Sequence, residues 1–547
     1  MKLLITLVIL VNTFTNAQVL NHKKEFTRQD SLRGTNNEFR NWWDVQFYKL
    51  FIEPDFDKKS IKGYCTIEFK VVKNTHENIM QIDLQEPMTI ENITLGNHKI
   101  KDFQKEGNVY FIKINKSLEI NTNHYLTIHF SGNPRLAVRP PWDGGWVFTK
   151  DEKGRDWASV ACQGLGASVW FPNKDYQGDE PDRGMDLVLR VPKGLNAVAN
   201  GRLVERYIVG EKEEFVWVVE NPINNYNIIP YIGSYVNFND VYEGEKGKLD
   251  LNYWVLDYNL EKAKKQFEQV KPMLKSFEHW FGAYPFYKDG YKLVESPYLG
   301  MEHQSAIAYG NHYVNGYMGN DLSQTGWGLK WDFIIIHESG HEWFGNSITT
   351  KDVADMWVHE SFTAYSETLY TEDLYGKEAG NDYVIGARLN ILNDIPMIGN
   401  YGVNQEGSGD IYYKGANMLH TFRQLLEDDD KFRSILRGLN ETFYHKTVTT
   451  KEIEDFLSEK SGIDLTEFFN QYLRTIMIPI LEYKLEGNQL SYRWTNIVER
   501  FDMPVKIADS EKWIFPTYKW KTETLTDGLE KNFQIDRNFY IQTIKRD

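Results

Sequence analysis

From about residue 40 to 245 apolar and polar residues alternate in short runs such as "YFIKINKSL", "YLTIHFSG", "MDLVLRVPKG" and "FVWVVENP", separated by Asn, Gly and Pro. Period two with breakers of that kind predicts strands and turns, so this stretch is expected to form a β-rich domain. Near residue 255 the texture changes to "NLEKAKKQFEQVKPMLKSFEHWFG", where apolar positions recur three and four apart, and helical patterning runs to about residue 475. Alternation returns in "LEYKLEGNQLSYRWTN" and continues to the last residues. The expected organisation is a β domain over 40–245, a mostly helical domain over 246–476 and a small β module over 477–547, a multidomain α+β fold. A length of 547 residues fits two or three domains.

Composition sharpens this only in part. The formal charge of −15 makes nucleic acid and anionic membrane surfaces poor partners. The opening "MKLLITLVILVNTFTNAQ" has a Lys, an apolar run from Leu3 to Val11 and a small residue at Ala17. This predicts a signal peptide over 1–17, cleaved near Ala17, and a chain exported to a periplasm or secreted. The alternative, a membrane anchor, is disfavoured because nine residues fall short of the roughly 20 that a spanning helix needs, and stable membrane insertion is not expected. In "IKGYCTIEFKVV" Cys65 shares a face with Ile61, Ile67, Phe69 and Val71, so a buried cysteine is expected there rather than one paired with Cys162.

The chemistry concentrates in "WDFIIIHESGHEWFGN". On a helix four residues turn through about 400°, so His337 and His341 project from one face, where two imidazoles can share a tetrahedral zinc. Glu338 sits beside that position. The alternative is a pair of structural histidines, but the flanking Ile334, Ile335, Ile336 and Phe344 predict a buried helix, and buried unpaired imidazoles are costly. A catalytic zinc takes a third protein ligand from another element. Glu360, nineteen residues after His341 in "MWVHESFTAYSETLY", is the candidate, on a second helix packed against the first.

These segments, with others, resemble the gluzincin aminopeptidases of the aminopeptidase N and leukotriene hydrolase type. "YLGMEHQSAIAYG" is similar to the family's exopeptidase segment, "IYYKGANML" to its catalytic tyrosine segment, and "ACQGLGASVWFPNKD" to the part of the N-terminal domain that reaches the substrate. The resemblance implies a saddle-like β N-terminal domain, a thermolysin-like catalytic domain and one zinc per chain on His337, His341 and Glu360. It implies Glu338 as general base, Tyr412 as oxyanion donor, Glu302 as the group binding the substrate's α-ammonium, and Gln163, Met301 and Gly300 as further substrate contacts. The implied activity is removal of N-terminal residues from peptides with a free N-terminus. A zinc endopeptidase, an epoxide hydrolase and a non-catalytic scaffold remain as alternatives on the same fold. Two features depart from the family pattern. Leu299 and His303 replace its usual Gly and Asn, and a short β module is expected in place of the family's large helical C-terminal domain.

Overall fold

The computed structural model describes residues 25–74, 77–526 and 528–547. The expected signal segment over 1–17 lies outside the described residues. The fold is multidomain α+β: a β-rich first part, a mostly helical second part and a small terminal sheet.

Eight strands form the large sheet, in the order Arg202–Val209, Lys212–Val219, Met185–Pro192, Trp43–Asp55, Ser60–Val71, Asn123–Gly132, Thr89–Leu95 and His98–Ile100. The pair Trp43–Asp55 and Met185–Pro192 runs parallel. In Ser60–Val71 the residues Ile61, Cys65, Ile67, Phe69 and Val71 are buried, as the alternation predicts. Cys65 and Cys162 are both buried and free.

A five-stranded sheet follows, in the order Tyr235–Gly244, Gly247–Leu256, Tyr291–Glu295, Ile307–Tyr309 and Gly300–Met301. The expected boundary at 245/246 falls in the hairpin turn between its first two strands. This sheet lies between the two apolar cores of the molecule. Leu293, Ile307 and Tyr309 enter the core of the helical part, whereas Val294, Ala306 and Ala308 enter that of the β part. A strand buried on both faces has no polar side to alternate, which is why the residue pattern alone does not mark it. The terminal strands Ile480–Glu486 and Gln489–Thr495 pair with each other, and Leu481, Leu490 and Trp494 join the core of the helical part.

The β part and the helical part are joined by directional polar contacts. Asn227 Nδ2 donates to Asn346 Oδ1 at 2.7 Å, Asn200 Nδ2 to the Gln304 carbonyl at 2.7 Å, and the Gly201 amide to Ser305 Oγ at 2.9 Å. All these side chains are buried.

Candidate metal centre

The motif occupies a helix, Phe333–Gly340, started by Asp332, whose carboxylate accepts from the Ile334 and Ile335 amides. Asp332 also accepts from Tyr309 Oη at 2.7 Å, which ties the helix start to the five-stranded sheet. A second helix, Trp357–Tyr375, carries Glu360 in its first turn and packs on the first. The approach is close at Gly340, where a Cβ would stand 2.7 Å from Ser366 Oγ and 3.1 Å from Thr363 Cγ2.

His337 and His341 turn their Nε2 atoms toward each other at 3.3 Å, and Glu360 Oε2 lies 3.7 Å from the first and 3.3 Å from the second. The other ring nitrogens fix the tautomers. His341 Nδ1 faces the Phe344 carbonyl at 2.9 Å, an acceptor only, and His337 Nδ1 faces the carboxylate of Glu367 at 2.7 Å. Both Nδ1 atoms therefore donate, and both Nε2 atoms present lone pairs. Glu360 Oε2 is buried and, among the described residues, finds no hydrogen-bond donor. Three electron-pair donors thus converge with no proton between them, an arrangement a cation satisfies, and two imidazoles with one carboxylate suit zinc.

Glu338 is buried beside this centre, and burial pushes its carboxyl up to about 7. Glu302, Glu338 and His341 bring ligand atoms within 4.8 Å of one another. Gly300 lies directly over the motif helix, since a Cβ there would stand 2.8 Å from Glu338 Oε1 and 2.9 Å from Ile334 Cγ2. Gly300 and Met301 form the outermost strand of the five-stranded sheet, with the Met301 side chain in the core of the β part. Glu302 is buried and accepts from Gln163 Nε2, so a residue of the β part reaches the cleft of the helical part. His303 is also buried. Its Nδ1 lies 2.8 Å from Tyr231 Oη, whose proton goes to the Ala306 carbonyl at 2.8 Å, so Nδ1 donates and the unpartnered Nε2 is an acceptor. Burial lowers His303 to about 3 and keeps it neutral.

Tyr412 precedes the helix Tyr413–Leu426 and stacks beside His337, with ring centroids 5.8 Å apart. Burial, and after it the carboxylates of Glu360, Glu406 and Glu302, raise its hydroxyl well above the usual range, so it is a neutral donor at any ordinary pH. The following residues have structural reasons. A Cβ on Gly415 would stand 1.8 Å from Ser361 Oγ, so this helix crosses the Glu360 helix at a glycine, and Lys414 Nζ donates to the Thr475 carbonyl at 2.9 Å.

Sequence reading missed two carboxylates. Glu367, seven residues after Glu360, orients His337 and accepts from Tyr383 Oη at 2.6 Å; its spacing of two helical turns from Glu360 was the available signal. Glu342, directly after His341, accepts from the Ser305 amide at 2.9 Å and from Tyr284 Oη at 2.7 Å, fixing the turn that follows Glu302.

Two family models match the chain, the Peptidase M1 N-terminal domain over residues 45–223 and the Peptidase family M1 domain over residues 265–472. The chain is 21% identical over 474 residues to probable aminopeptidase 1 of Sulfurisphaera tokodaii, covering 82% of this chain and 55% of that protein. It is 27% identical over 300 residues to the leukotriene A-4 hydrolase of Xenopus laevis, covering 51% of this chain and 46% of that one. The chain thus spans about half the length of the curated relatives it matches. The fold is that of the M1 zinc metallopeptidase from Deinococcus radiodurans, with a TM-score of 0.68 at 18% identity over 80% of this chain and 95% of that one. With its β part and its helical part each matched by a model of the same family, in the same order, the chain belongs to peptidase family M1.

Proposed function

We propose that this protein is an exported zinc aminopeptidase that removes N-terminal residues from peptides. The observation that carries the reading is Glu302: a buried carboxylate, paired with Gln163, within 4.8 Å of ligand atoms on Glu338 and His341. A carboxylate so placed pairs with a free α-ammonium and is left uncompensated by an acylated N-terminus. His337, His341 and Glu360 would hold the zinc ion, which when bound supplies a Lewis acid and lowers the pKa of water to near neutrality.

The remaining steps belong to side chains of this chain. Glu338, with its carboxyl near 7, takes a proton from the attacking water and hands it to the leaving amine. Tyr412 donates its hydroxyl to the oxyanion that develops on the scissile carbonyl. Glu302 and Gln163 hold the α-ammonium, and the outer strand Gly300–Met301 offers backbone groups to the peptide. Glu367 keeps His337 in the tautomer that the centre requires.

Hydrolysis of matched free and N-acetylated aminoacyl chromogenic substrates, with and without a chelator, tests this. Cleavage of the free series alone, abolished by chelation and restored by zinc, is expected. Internal cleavage of N-acetylated peptides would replace the reading with an endopeptidase. Export belongs to the same proposal and rests on the leader-like pattern of residues 1–17; the N-terminal sequence of the protein recovered outside the cytoplasm tests it.

A further inference from the structure

The proposed ammonium site depends on Gln163, and Gln163 stands on a turn with little hold of its own. It lies between the strand Asp156–Ala161 and a short 3-10 helix at Ala167–Val169, with a glycine directly after it. Among the described residues its backbone makes no hydrogen bond. The ends of the turn are fixed. The Gly166 amide donates to the Cys162 carbonyl at 2.6 Å, Gln85 Nε2 donates to the Leu165 carbonyl at 2.7 Å, and the Asp175 carboxylate fills the place where a Cβ on Gly166 would stand. The middle is looser. A Cβ on Gly164 would meet nothing within 4 Å, so no packing restrains that side, and glycine has the most backbone freedom to lose.

Two side chains from distant segments supply the missing restraint at the Gly164 carbonyl. Arg33 Nη2 donates to it at 2.9 Å and Asn404 Nδ2 at 3.3 Å. Arg33 lies in the last turn of the helix Arg28–Gly34, which is itself tied to the β part: the Leu32 carbonyl accepts from Gln81 Nε2 at 2.9 Å, and the Arg33 carbonyl from the fully buried Arg40 at 2.9 Å. Asn404 lies in a loop of the helical part, where the Gly402 amide donates to Asp352 at 2.8 Å and Tyr401 Oη to Asp355 at 2.6 Å, just before the Glu360 helix. Helix and loop touch, since a Cβ on Gly34 would stand 2.4 Å from the Val403 nitrogen and 2.6 Å from that of Asn404. The carbonyl beside Gln163 is therefore held between the N-terminal helix of the β part and a loop of the helical part.

We propose that Arg33, with Asn404, is a positioning residue for the substrate's α-ammonium: by clamping the Gly164 carbonyl it holds the Gln163 side chain against Glu302. The inference rests on the aminopeptidase reading and adds to its ammonium site a residue that touches no substrate. Gln163 Nε2 already meets Glu302 Oε1 in the free protein, a contact that needs the backbone at 163 and 164 in one conformation. A carbonyl that accepts from a cationic donor is held more firmly than one that accepts from a neutral donor or from water, so Arg33 carries the larger share. Without it the turn is ordered only when a substrate arrives, and that cost is taken from binding. Glu338 and Tyr412 are untouched by it, so the loss falls on KM and not on kcat.

Steady-state kinetics of the full-length, zinc-loaded protein on free aminoacyl chromogenic substrates test this. Arg33→Ala should raise KM about three- to tenfold, with kcat within about twofold of wild type and zinc content unchanged. Asn404→Ala should raise KM in the same direction by a smaller factor, and it carries the test if Arg33→Ala does not fold. In a Gln163→Ala background Arg33→Ala should change KM by less than about twofold, because the group it positions is gone, whereas a general role in fold stability would persist there. Unchanged KM in both single variants, or an Arg33→Ala penalty that survives in full without Gln163, overturns the proposal. If no free aminoacyl substrate is cleaved, the aminopeptidase reading fails by itself, and hydrogen exchange then decides the positioning. Arg33→Ala should speed exchange at the amides of 163–166 by at least about threefold and leave the motif helix unchanged, and an unaltered rate in that turn overturns the role of Arg33.

Discussion

Glu367→Gln should weaken zinc binding by about ten- to hundredfold while leaving all three ligands in place. The carboxylate accepts from His337 Nδ1 at 2.7 Å and from Tyr383 Oη at 2.6 Å, and it is buried. In the variant the amide oxygen can still accept from His337, whereas the amide nitrogen faces Tyr383 Oη, whose proton loses the oxygen that accepted it. At His337 what changes is charge. A hydrogen bond to a charged group contributes about 1.5–3 kcal/mol against about 0.5–1.5 for a neutral one, so the His337 contact loses about 1–1.5 kcal/mol. That is roughly tenfold in affinity, and looser control of the ring carries the effect toward the upper figure. The Tyr383 contact bears on fold stability rather than on the metal. Competition against a chelator of known affinity measures the zinc Kd, and thermal unfolding of the chelator-treated protein separates folding from binding. An affinity within twofold of wild type would refute the reasoning, as would a loss as large as that of His337→Ala, which would make Glu367 equivalent to a ligand.

Four further outcomes follow from the same geometry. Glu338→Gln should keep zinc by metal analysis and lose at least about a hundredfold in kcat, because general base catalysis contributes about 10² to 10⁴; near-normal turnover in a zinc-loaded variant rejects the role. Tyr412→Phe should lower kcat with little change in KM, by about 3 kcal/mol, whereas Tyr413→Phe should be mild, and steady-state kinetics on both fixes the register of "YYKG". Gly415→Ala should destabilise by about 1–3 kcal/mol in chemical unfolding, since its Cβ would stand 1.8 Å from Ser361 Oγ, and Ser361→Gly should recover part of the loss. Burial lowers Lys292 to about 7 from an ordinary value of 10.5, so across that window the unfolded chain binds the extra proton and folding becomes more favourable as pH rises. The stability gained by Lys292→Met should therefore be largest near pH 7 and shrink toward pH 10, and a constant difference in urea unfolding contradicts this.

What the sequence discloses about this protein depends on how local each signal is. His337 and Glu338 lie on one helix and His341 is its C-cap, so a spacing of four suffices to bring them together. Glu360 needed a second helix, and spacing could nominate it without showing the crossing that Gly340 permits. Tyr412, Glu302 and Gln163 were legible through resemblance alone, because nothing in a lone tyrosine or glutamine says which cleft it enters. The strand Tyr291–Glu295 escaped because both its faces are buried, and Tyr235–Gly244 was grouped with the first domain because alternation reports a strand and not the sheet it joins.

The polar seam formed by Asn227, Asn200 and Gly201 with Asn346, Gln304 and Ser305 also governs how a peptide gets in. Apolar surfaces can slide over one another at little cost, but buried hydrogen bonds have a direction, and rotating one part against the other would break several of them together. On the proposed aminopeptidase reading, Gln163 and Glu302, on opposite sides of this seam, keep one spacing to grip an ammonium group. Substrate capture would then be entry into a slot of constant width, with little ordering cost left to be met at the moment of binding. Association rates should then track diffusion and charge, and scattering profiles of the free and inhibitor-bound protein should superimpose.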